Sequence, residues 1–367
     1  MNPIVELPGI RELPETNGAP KRAPLTIRTI DEILAMTFDE ADLILRNGYL
    51  SRGERTSICG MGGVGKSRLA MQLACCCRAG RDFLGWPTNG RELRFLFLQT
   101  ENSCKRLQDD LVRMLSAFTP AEQEHIKAGI FFHTLEGDDD GFLMLDAENL
   151  ERVGNAITEN AVDVVVYDPL RDFSLDDLSS DKFMGDTLRE ITRITKRGNP
   201  KRVALVIHHA LTGKAGVQKT TGFDRSSFGR NSKVLFAWAR AQINVAPAKA
   251  EDNSIIIIAS GKCNDAPEFE PFAARLNFET MLYEVDDGFD MAAWRMDVLG
   301  EKAVRESPRD MLQRLLSRGH EYDKRVIVNL IIEDKGVGKS RAYSIIDEAK
   351  ARGILRFNRV QETYELK

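Results

Sequence analysis

Hydrophobic residues fall into two alternating spacings along this chain. From Ile27 to Tyr283, short β-rich apolar runs are separated by longer stretches in which apolar residues recur every three or four positions. The runs Thr56 to Cys59, Leu93 to Gln99, Ile130 to Thr134, Val162 to Tyr167, Val203 to His208, Val234 to Val245 and Ser254 to Ser260 predict strands. The helical spacing predicts helices over Lys66 to Ala79, Ser103 to Phe118, Leu150 to Asn160 and Asp181 to Arg197. Strand and helix in alternation predict an α/β fold with a mainly parallel, doubly wound sheet. The last two strands, separated by Ala246 to Asn253 (APAKAEDN), predict an antiparallel pair that closes it.

The flanks carry different patterns. Residues 1–25 are rich in Pro, Glu, Gly and Asn without periodicity and predict a flexible arm; 26–285 form the α/β domain; 286–306 are a charged linker; and 307–367 are a compact helical segment. In that last segment, Met311 to Leu316 is amphipathic, and Arg325 to Glu333 fits a strand or a helix. Val337, Ala342, Ile345, Ile346 and Ala349 share one helical face, and Ile354 to Lys367 alternates around a polar turn like a hairpin. Helix, helix, glycine turn, helix and hairpin is the winged helix-turn-helix plan.

Composition narrows the class only a little. At 367 residues the chain exceeds the usual size of one core, and 43% apolar with 29% charged residues is ordinary for a globular protein. The longest purely aliphatic run, Ile255 to Ala259, is too short to span a bilayer, and the N-terminus lacks the basic-then-apolar order of a signal peptide. These features predict a cytoplasmic protein with no membrane partner. The six cysteines show no zinc or disulfide spacing and are expected to be small buried hydrophobes. The net charge of -4 hides an asymmetry: Glu301 to Lys367 holds 15 Lys+Arg against 11 Asp+Glu, while the preceding residues hold 36 against 44. A basic tail on an acidic body hints at a polyanionic partner.

The hexapeptide GVGKSR occurs twice, at Gly63 to Arg68 and at Gly336 to Arg341. The first copy lies inside Gly60-Met61-Gly62-Gly63-Val64-Gly65-Lys66-Ser67, a complete G-x-x-x-x-G-K-[ST] phosphate loop between a predicted strand and a predicted helix. The chemistry needs these residues. Glycines let successive backbone amides turn onto phosphate, Lys66 reaches the β/γ oxygens, and Ser67 can ligate Mg²⁺. Gly60 to Arg68 are therefore the expected nucleotide-binding residues. Four strand ends are expected beside them, because ligands of doubly wound sheets bind at the carboxyl edge. These are Asp168 as a metal-side carboxylate, Glu101 as the base or positioner for an attacking water, His208 and His209 near the γ-phosphate, and Lys262.

Phosphate loop, Glu101 after the second strand, Tyr167-Asp168-Pro169-Leu170, and His208-His209 near Lys214 together resemble RecA-like ATPases of the plasmid RepA hexameric helicase type. They are more distantly similar to DnaB-type replicative helicases. The resemblance implies a RecA-like P-loop NTPase core over about 70% of the chain, with ATP and Mg²⁺ as cofactors and a homo-oligomeric ring, a hexamer. It also implies single-stranded DNA in the channel, and a replication initiator or primase as partner. It makes Glu101 the catalytic glutamate and Asp168 the metal-side aspartate, and His209 or His208 the link from γ-phosphate to DNA. A basic residue from the neighbouring subunit is implied as well, and Arg225, Arg230 and Lys262 are the candidates. Two loops, Asp172 to Lys182 and Leu211 to Arg225, are left exposed by this layout. The second carries Lys214 and Lys219 and suits a DNA grip, whereas the first is acidic and suits a solvated loop.

The second GVGKSR copy departs from the phosphate-loop rule, since Glu333 stands where the first glycine belongs. In the winged helix-turn-helix plan, Gly336-Val337-Gly338 is the turn, Val337 plugs the core, and Lys339, Ser340, Arg341 and Tyr343 begin a recognition helix facing nucleic acid. The sequence thus predicts a RepA-type DNA helicase for a plasmid, phage or mobile element. The alternative is a nucleotide-switched DNA-binding regulator, or a partner-loading ATPase that does not unwind.

Overall fold

The computed structural model describes residues 26–134, 146–174, 178, 180–229, 233–249, 252–299, 308–358 and 360–367. The expected arm, residues 1–25, lies outside the described residues. The chain divides into two compact units, Met1–Asp42 and Leu43–Lys367. The described part of the first holds a short helix, α1 (Ile30–Leu34). It is opened by a capping box in which the Thr29 hydroxyl accepts from the Glu32 amide and the Glu32 carboxylate accepts from the Thr29 amide.

The second unit begins with a small antiparallel pair, β1 (Leu43–Leu45) and β2 (Leu50–Ser51). Then come β3 (Arg55–Gly60), α2 (Lys66–Ala79), β4 (Phe95–Gln99), α3 (Cys104–Ser116), α4 (Pro120–Lys127), β5 (Ile130–Phe132), α5 (Ala147–Glu159) and β6 (Val164–Asp168). They are followed by α6 (Asp181–Thr195), β7 (Val203–His209), α7 (Lys214–Val217), α8 (Lys233–Trp238), β8 (Ala241–Lys249), β9 (Asp252–Cys263), β10 (Phe272–Leu276), β11 (Tyr283–Val285) and α9 (Met291–Trp294). Nine strands form one sheet in the order β11-β10-β9-β8-β3-β7-β6-β4-β5. All pairings from β8 to β5 are parallel, and those from β8 to β11 are antiparallel.

Both faces of this sheet are covered, which is why its strands read as near-continuous apolar runs. Along β6, Val164 and Val166 face the core shared with Leu69 and Leu73 of α2. Val165 and Tyr167 face the one shared with Ile157 of α5 and Leu188 of α6. The expected α/β class with a mainly parallel sheet therefore holds.

The edge beyond β8 was less legible. Val234 to Val245 is not one strand: Lys233–Trp238 is helical, buries Leu235 and joins Trp238 Nε1 to Thr192 Oγ1 at 2.9 Å. The strand starts at Ala241 and runs through Pro247, so most of the APAKAEDN segment is ladder and not turn. A proline argues against a central strand, and here the register shifts between Pro247 and Lys249 to accommodate it. Nor does the β8–β9 pair close the sheet, since β10 and β11 extend it. Four cysteines are buried as expected, but Cys104, at the start of α3, is exposed and Cys263, at the end of β9, is half-buried.

The C-terminal residues build their own core. Helix α10 (Pro308–Leu315) leads to β12 (Glu321–Asp323), α11 (Lys324–Lys335), α12 (Lys339–Ala351), β13 (Leu355–Asn358) and β14 (Thr363–Leu366). The three strands form a sheet ordered β12-β14-β13. Leu312, Ile327, Ile331, Ala342, Ile346 and Leu355 are buried together, and Val337 packs against them. Arg325 to Glu333, open between strand and helix in the sequence, is helix α11. Among the described residues no helix is long and apolar enough to cross a membrane.

The glycines of the second hexapeptide do separate jobs. Gly336 ends α11 in the left-handed region (φ 61°), its amide donating to Ile332 O, and Gly338 precedes α12 in extended backbone (φ -70°). No atom lies within 4 Å of a Cβ built on either. Gly336→Ala is therefore expected to lower stability by about 1 kcal/mol through backbone strain alone, and Gly338→Ala by less. Urea denaturation read by hydrogen exchange over α11 and α12 checks this, and equal losses at the two positions would contradict it.

Candidate functional site

The first hexapeptide connects β3 to α2 at the carboxyl edge of the parallel strands. Gly63 and Gly65 both have positive φ (73° and 87°), and Val64 between them is buried in the core. At Gly65 an added Cβ would also collide with the Tyr283 hydroxyl, so both backbone and space demand glycine there. Lys66, only 6% exposed, opens α2, and its Nζ donates to Met61 O at 2.8 Å across the loop. Burial lowers the pKa of this ammonium, opposed by the charges of Asp168, Cys59 and Glu101.

Three neighbouring strands end beside this loop. In register, Gly60 of β3 lies opposite His209 of β7, and Gln99 of β4 opposite Asp168 of β6. Gln99 then shapes the turn that presents Glu101: its side-chain amide donates to Asn102 O (3.1 Å) and His133 O (3.0 Å) and accepts from Asn102 N (2.8 Å). Lys66, Ser67, Arg68, Glu101, Asp168 and His209, with Gly63 and Gly65, line one solvent-open pocket of about 170 Å³. Because successive strand residues point to opposite faces, only one of the two histidines can enter it. His209 lines the pocket, whereas His208 is buried opposite Cys59.

The pocket's charges are tuned by burial and by one another. Asp168 is 4% exposed, and burial pushes its carboxyl up to about 6, against the opposing influence of Ser67 and Lys66. Glu101 is shifted the other way: the facing His209 imidazole lowers its pKa, with Arg171 and Lys66 adding to this and burial resisting. His209 Nε2 is buried, has no hydrogen-bond partner among the described residues and stands 3.8 Å from Glu101 Oε1. A buried unpaired imidazole nitrogen, a buried ammonium resting on a carbonyl, and a carboxylate beside a serine fit a nucleotide phosphate with a divalent cation. Ser67 and Asp168 are the residues that would hold the cation.

Some residues in and around the pocket escaped the sequence reading: Arg106 and Asp110 line it beside the expected Arg68, and Tyr283 and Arg171 contact its loop and its glutamate from outside. Arg68 and Arg106 both bond the nearly buried Asp110, with Arg68 Nη2 at 3.3 Å from each oxygen and Arg106 Nε at 3.1 Å. The i,i+4 spacing of Arg106 and Asp110 was a visible signal. Tyr283 gave none. It arrives from β11, where Gln72 clamps its backbone from both sides (2.8 and 2.7 Å) and its hydroxyl donates to Val64 O at 3.4 Å. Arg171, in the turn Leu170–Phe173, pairs with Glu101 at 2.9 Å.

Other expected site residues lie elsewhere. Lys262 is not at the carboxyl edge: β9 runs antiparallel, so Lys262 pairs with Gln242, which pairs with Ser57 near the start of β3. Its ammonium takes the carbonyls of Phe236 and Ala239 (both 2.9 Å) at the end of α8. Arg225 joins it there, donating to Gly261 O (3.0 Å) and Glu268 (2.7 Å). Arg230 lies outside the described residues.

The loop Leu211 to Arg225 is partly ordered. It contains α7, with Val217 and Thr220 buried, Lys214 exposed and Lys219 half-buried. Lys214 lines a second cavity of about 620 Å³ with Met61, Gly62, Val64 and Lys249. The loop Asp172 to Lys182 begins with Asp172 and Phe173 buried, not solvated, while 175–177 and 179 lie outside the described residues. Lys339, Ser340, Arg341 and Tyr343 are exposed on α12, and no ion pair of Lys339 or Arg341 occurs among the described residues.

A mainly parallel sheet whose central strand runs through a glycine-rich loop into a helix defines the class, a P-loop NTPase fold of the α/β type. Residues 20–217, more than half of the chain, match the AAA_25 family, described as an AAA domain, and the protein belongs to that family. No curated protein sequence matches the chain. Among solved structures, a KaiC-like protein from the hyperthermophilic archaeon Pyrococcus horikoshii is 12% identical with a TM-score of 0.45, over 67% of this chain and 94% of that one. The ATPase domain of another protein is 13% identical with a TM-score of 0.45, over 65% and 87%.

The raised Asp168 pKa has a consequence for stability. Between its ordinary value of 3.8 and about 6 the native state holds the extra proton, so stability falls as pH rises through that window. Without nucleotide or metal, Asp168→Asn is expected to stabilise the protein at pH 7 by on the order of 1–3 kcal/mol. The gain should shrink toward pH 4. Thermal unfolding of both proteins at the two pH values tests the sign, and a gain that grows on acidification would contradict it.

Proposed function

We propose that this protein is an ATP-hydrolysing, RecA-like motor, a ring-forming DNA helicase of the RepA type that acts in the cytoplasm to replicate a plasmid, phage or other mobile element. The observation that supports this best is the convergence of Lys66, Ser67, Asp168, Glu101 and His209 on the one pocket at the phosphate loop.

In this reading the amides of Gly63 to Lys66 cradle the phosphates, and the Lys66 ammonium exchanges the Met61 carbonyl for a β/γ oxygen. Bound Mg²⁺ would supply charge neutralisation to the triphosphate. Glu101, kept ionised, orients the attacking water and takes its proton, while His209 Nε2, which has no hydrogen-bond partner among the described residues, donates to the γ-phosphate. Arg225 and Lys262 sit at the opposite edge of the sheet and cannot reach their own pocket, which favours their use by a neighbouring subunit in a homo-hexamer. Lys214 and Lys219 are the basic residues offered to single-stranded DNA in the channel.

The C-terminal order of helix, strand, helix, glycine turn, helix and hairpin supports a winged helix-turn-helix. Exposed Lys339, Ser340, Arg341 and Tyr343 lie at the start of α12, where such a domain meets duplex DNA. The same exposure favours the second reading, a nucleotide-switched regulator that binds a DNA site, or an ATPase that loads a replication initiator or primase.

Lys66→Ala is expected to lower ATP turnover by about 10²-fold or more, and Lys339→Ala to leave it unchanged; equal losses would merge the two hexapeptides into one role. Glu101→Gln should still bind ATP yet lose about 10²- to 10⁴-fold in turnover. Full activity in a species that light scattering shows to be monomeric would eliminate the ring. Lys66-dependent strand displacement favours the helicase, while sequence-selective duplex binding through Lys339 and Arg341 without displacement favours the regulator.

A further inference from the structure

Glu101 is held from outside its own pocket. Arg171 Nη2 donates to Glu101 Oε1 at 2.9 Å, and Arg171 Nε donates to Asp172 Oδ1 at 3.1 Å. Asp172 is buried, and its other oxygen accepts from Thr100 Oγ1 at 2.5 Å. Thr100 is the residue before Glu101, so Glu101, Arg171, Asp172 and Thr100 form a closed circuit that fixes the guanidinium. Arg171 does not line the nucleotide pocket, whereas Glu101 does. The Arg171 side chain is 60% exposed, and its Nη1 has no partner among the described residues.

The oxygen that Arg171 occupies is the one facing His209 Nε2 across 3.8 Å, and that nitrogen has no other partner among the described residues. While the pair stands, Glu101 Oε1 is shared between a guanidinium outside the pocket at 2.9 Å and an imidazole inside it at 3.8 Å.

We propose that Arg171 is a latch: it restrains Glu101 in the free protein and is drawn away by a phosphodiester of single-stranded nucleic acid, which frees the Glu101 carboxylate for the attacking water. The inference rests on Glu101 being the water-positioning carboxylate. A phosphodiester is the competitor that suits a guanidinium, offering the same paired charge-assisted hydrogen bonds as a carboxylate. The exchange replaces one ion pair with another. An ion pair this exposed is weak, so a modest ligand suffices to tip it. Arg171 is thus a positioning residue that couples the outer surface to the site.

The test measures ATP turnover by the full chain with and without oligo-dT, for wild type, Arg171→Ala and Arg171→Lys, with Glu101→Gln alongside. Arg171→Ala is expected to raise kcat without DNA by about fivefold, to leave KM unchanged, and to lose most of the further stimulation by oligo-dT. Arg171→Lys should keep the low basal rate and part of the stimulation. A merely structural role would not produce a gain in kcat at constant KM. Unchanged or reduced basal turnover in Arg171→Ala, or stimulation equal to wild type, overturns the latch, provided that Glu101→Gln abolishes turnover. If Glu101→Gln leaves turnover intact, the role of Glu101 fails instead, and the latch with it. Polyglutamate that stimulates wild type as well as oligo-dT does would overturn the phosphodiester assignment in favour of an acidic protein surface.

Discussion

Two opposite charges kept nearly dry, Lys66 at 6% exposure and Asp168 at 4%, set the terms for the rest of the structure. Burial lowers the proton affinity of the ammonium and raises that of the carboxyl to about 6, and each is relieved only in part by the other. A sheet covered on both faces creates this desolvation, and its carboxyl edge is where both charges emerge. Such an arrangement is costly for a fold on its own account and sensible for one that waits for a polyanion with its cation.

The central parallel strands and the phosphate loop were legible in sequence because each rests on local information. Apolar runs of strand length, helices of regular period and a complete loop motif need no knowledge of distant residues. Glu101 and Asp168 followed, since strand ends of a doubly wound sheet share one edge. His209 was separable from His208 only by register. The misjudged parts depend on direction and partners. Lys262 ends its strand just as Asp168 does, yet β9 runs the other way, as the expected antiparallel pairing already implied, so the two strand ends lie at opposite edges of the sheet. The helix at Lys233–Trp238 reads as strand because its aromatic and branched residues carry β propensity, while packing against α6 decides otherwise. Tyr283 could not be foreseen, because its meeting with the loop depends on two added edge strands.

The two hexapeptides show how context assigns conformation. Gly63 and Gly65 both take left-handed backbone, whereas of their counterparts Gly336 does and Gly338 does not. In the first copy a strand and a covered sheet edge force the chain into a tight left-handed turn at Gly63 and Gly65 before the helix starts. In the second a helix simply ends, turns and starts again. Identical letters therefore give one concave loop and one helical corner.

The contact between Gly65 and Tyr283 also bears on where this protein can be cut. Recognisable family sequence ends at residue 217, before β8, yet β8 pairs directly with β3 and the chain must run on to β11 to place an aromatic wall against the loop. A fragment trimmed to the conserved profile would leave β3 as an open sheet edge and expose the apolar residues of its neighbour, the usual route to aggregation. The smallest fragment that keeps this sheet paired is consequently set by hydrogen-bonded neighbours, and extends well past residue 217, where the family match ends.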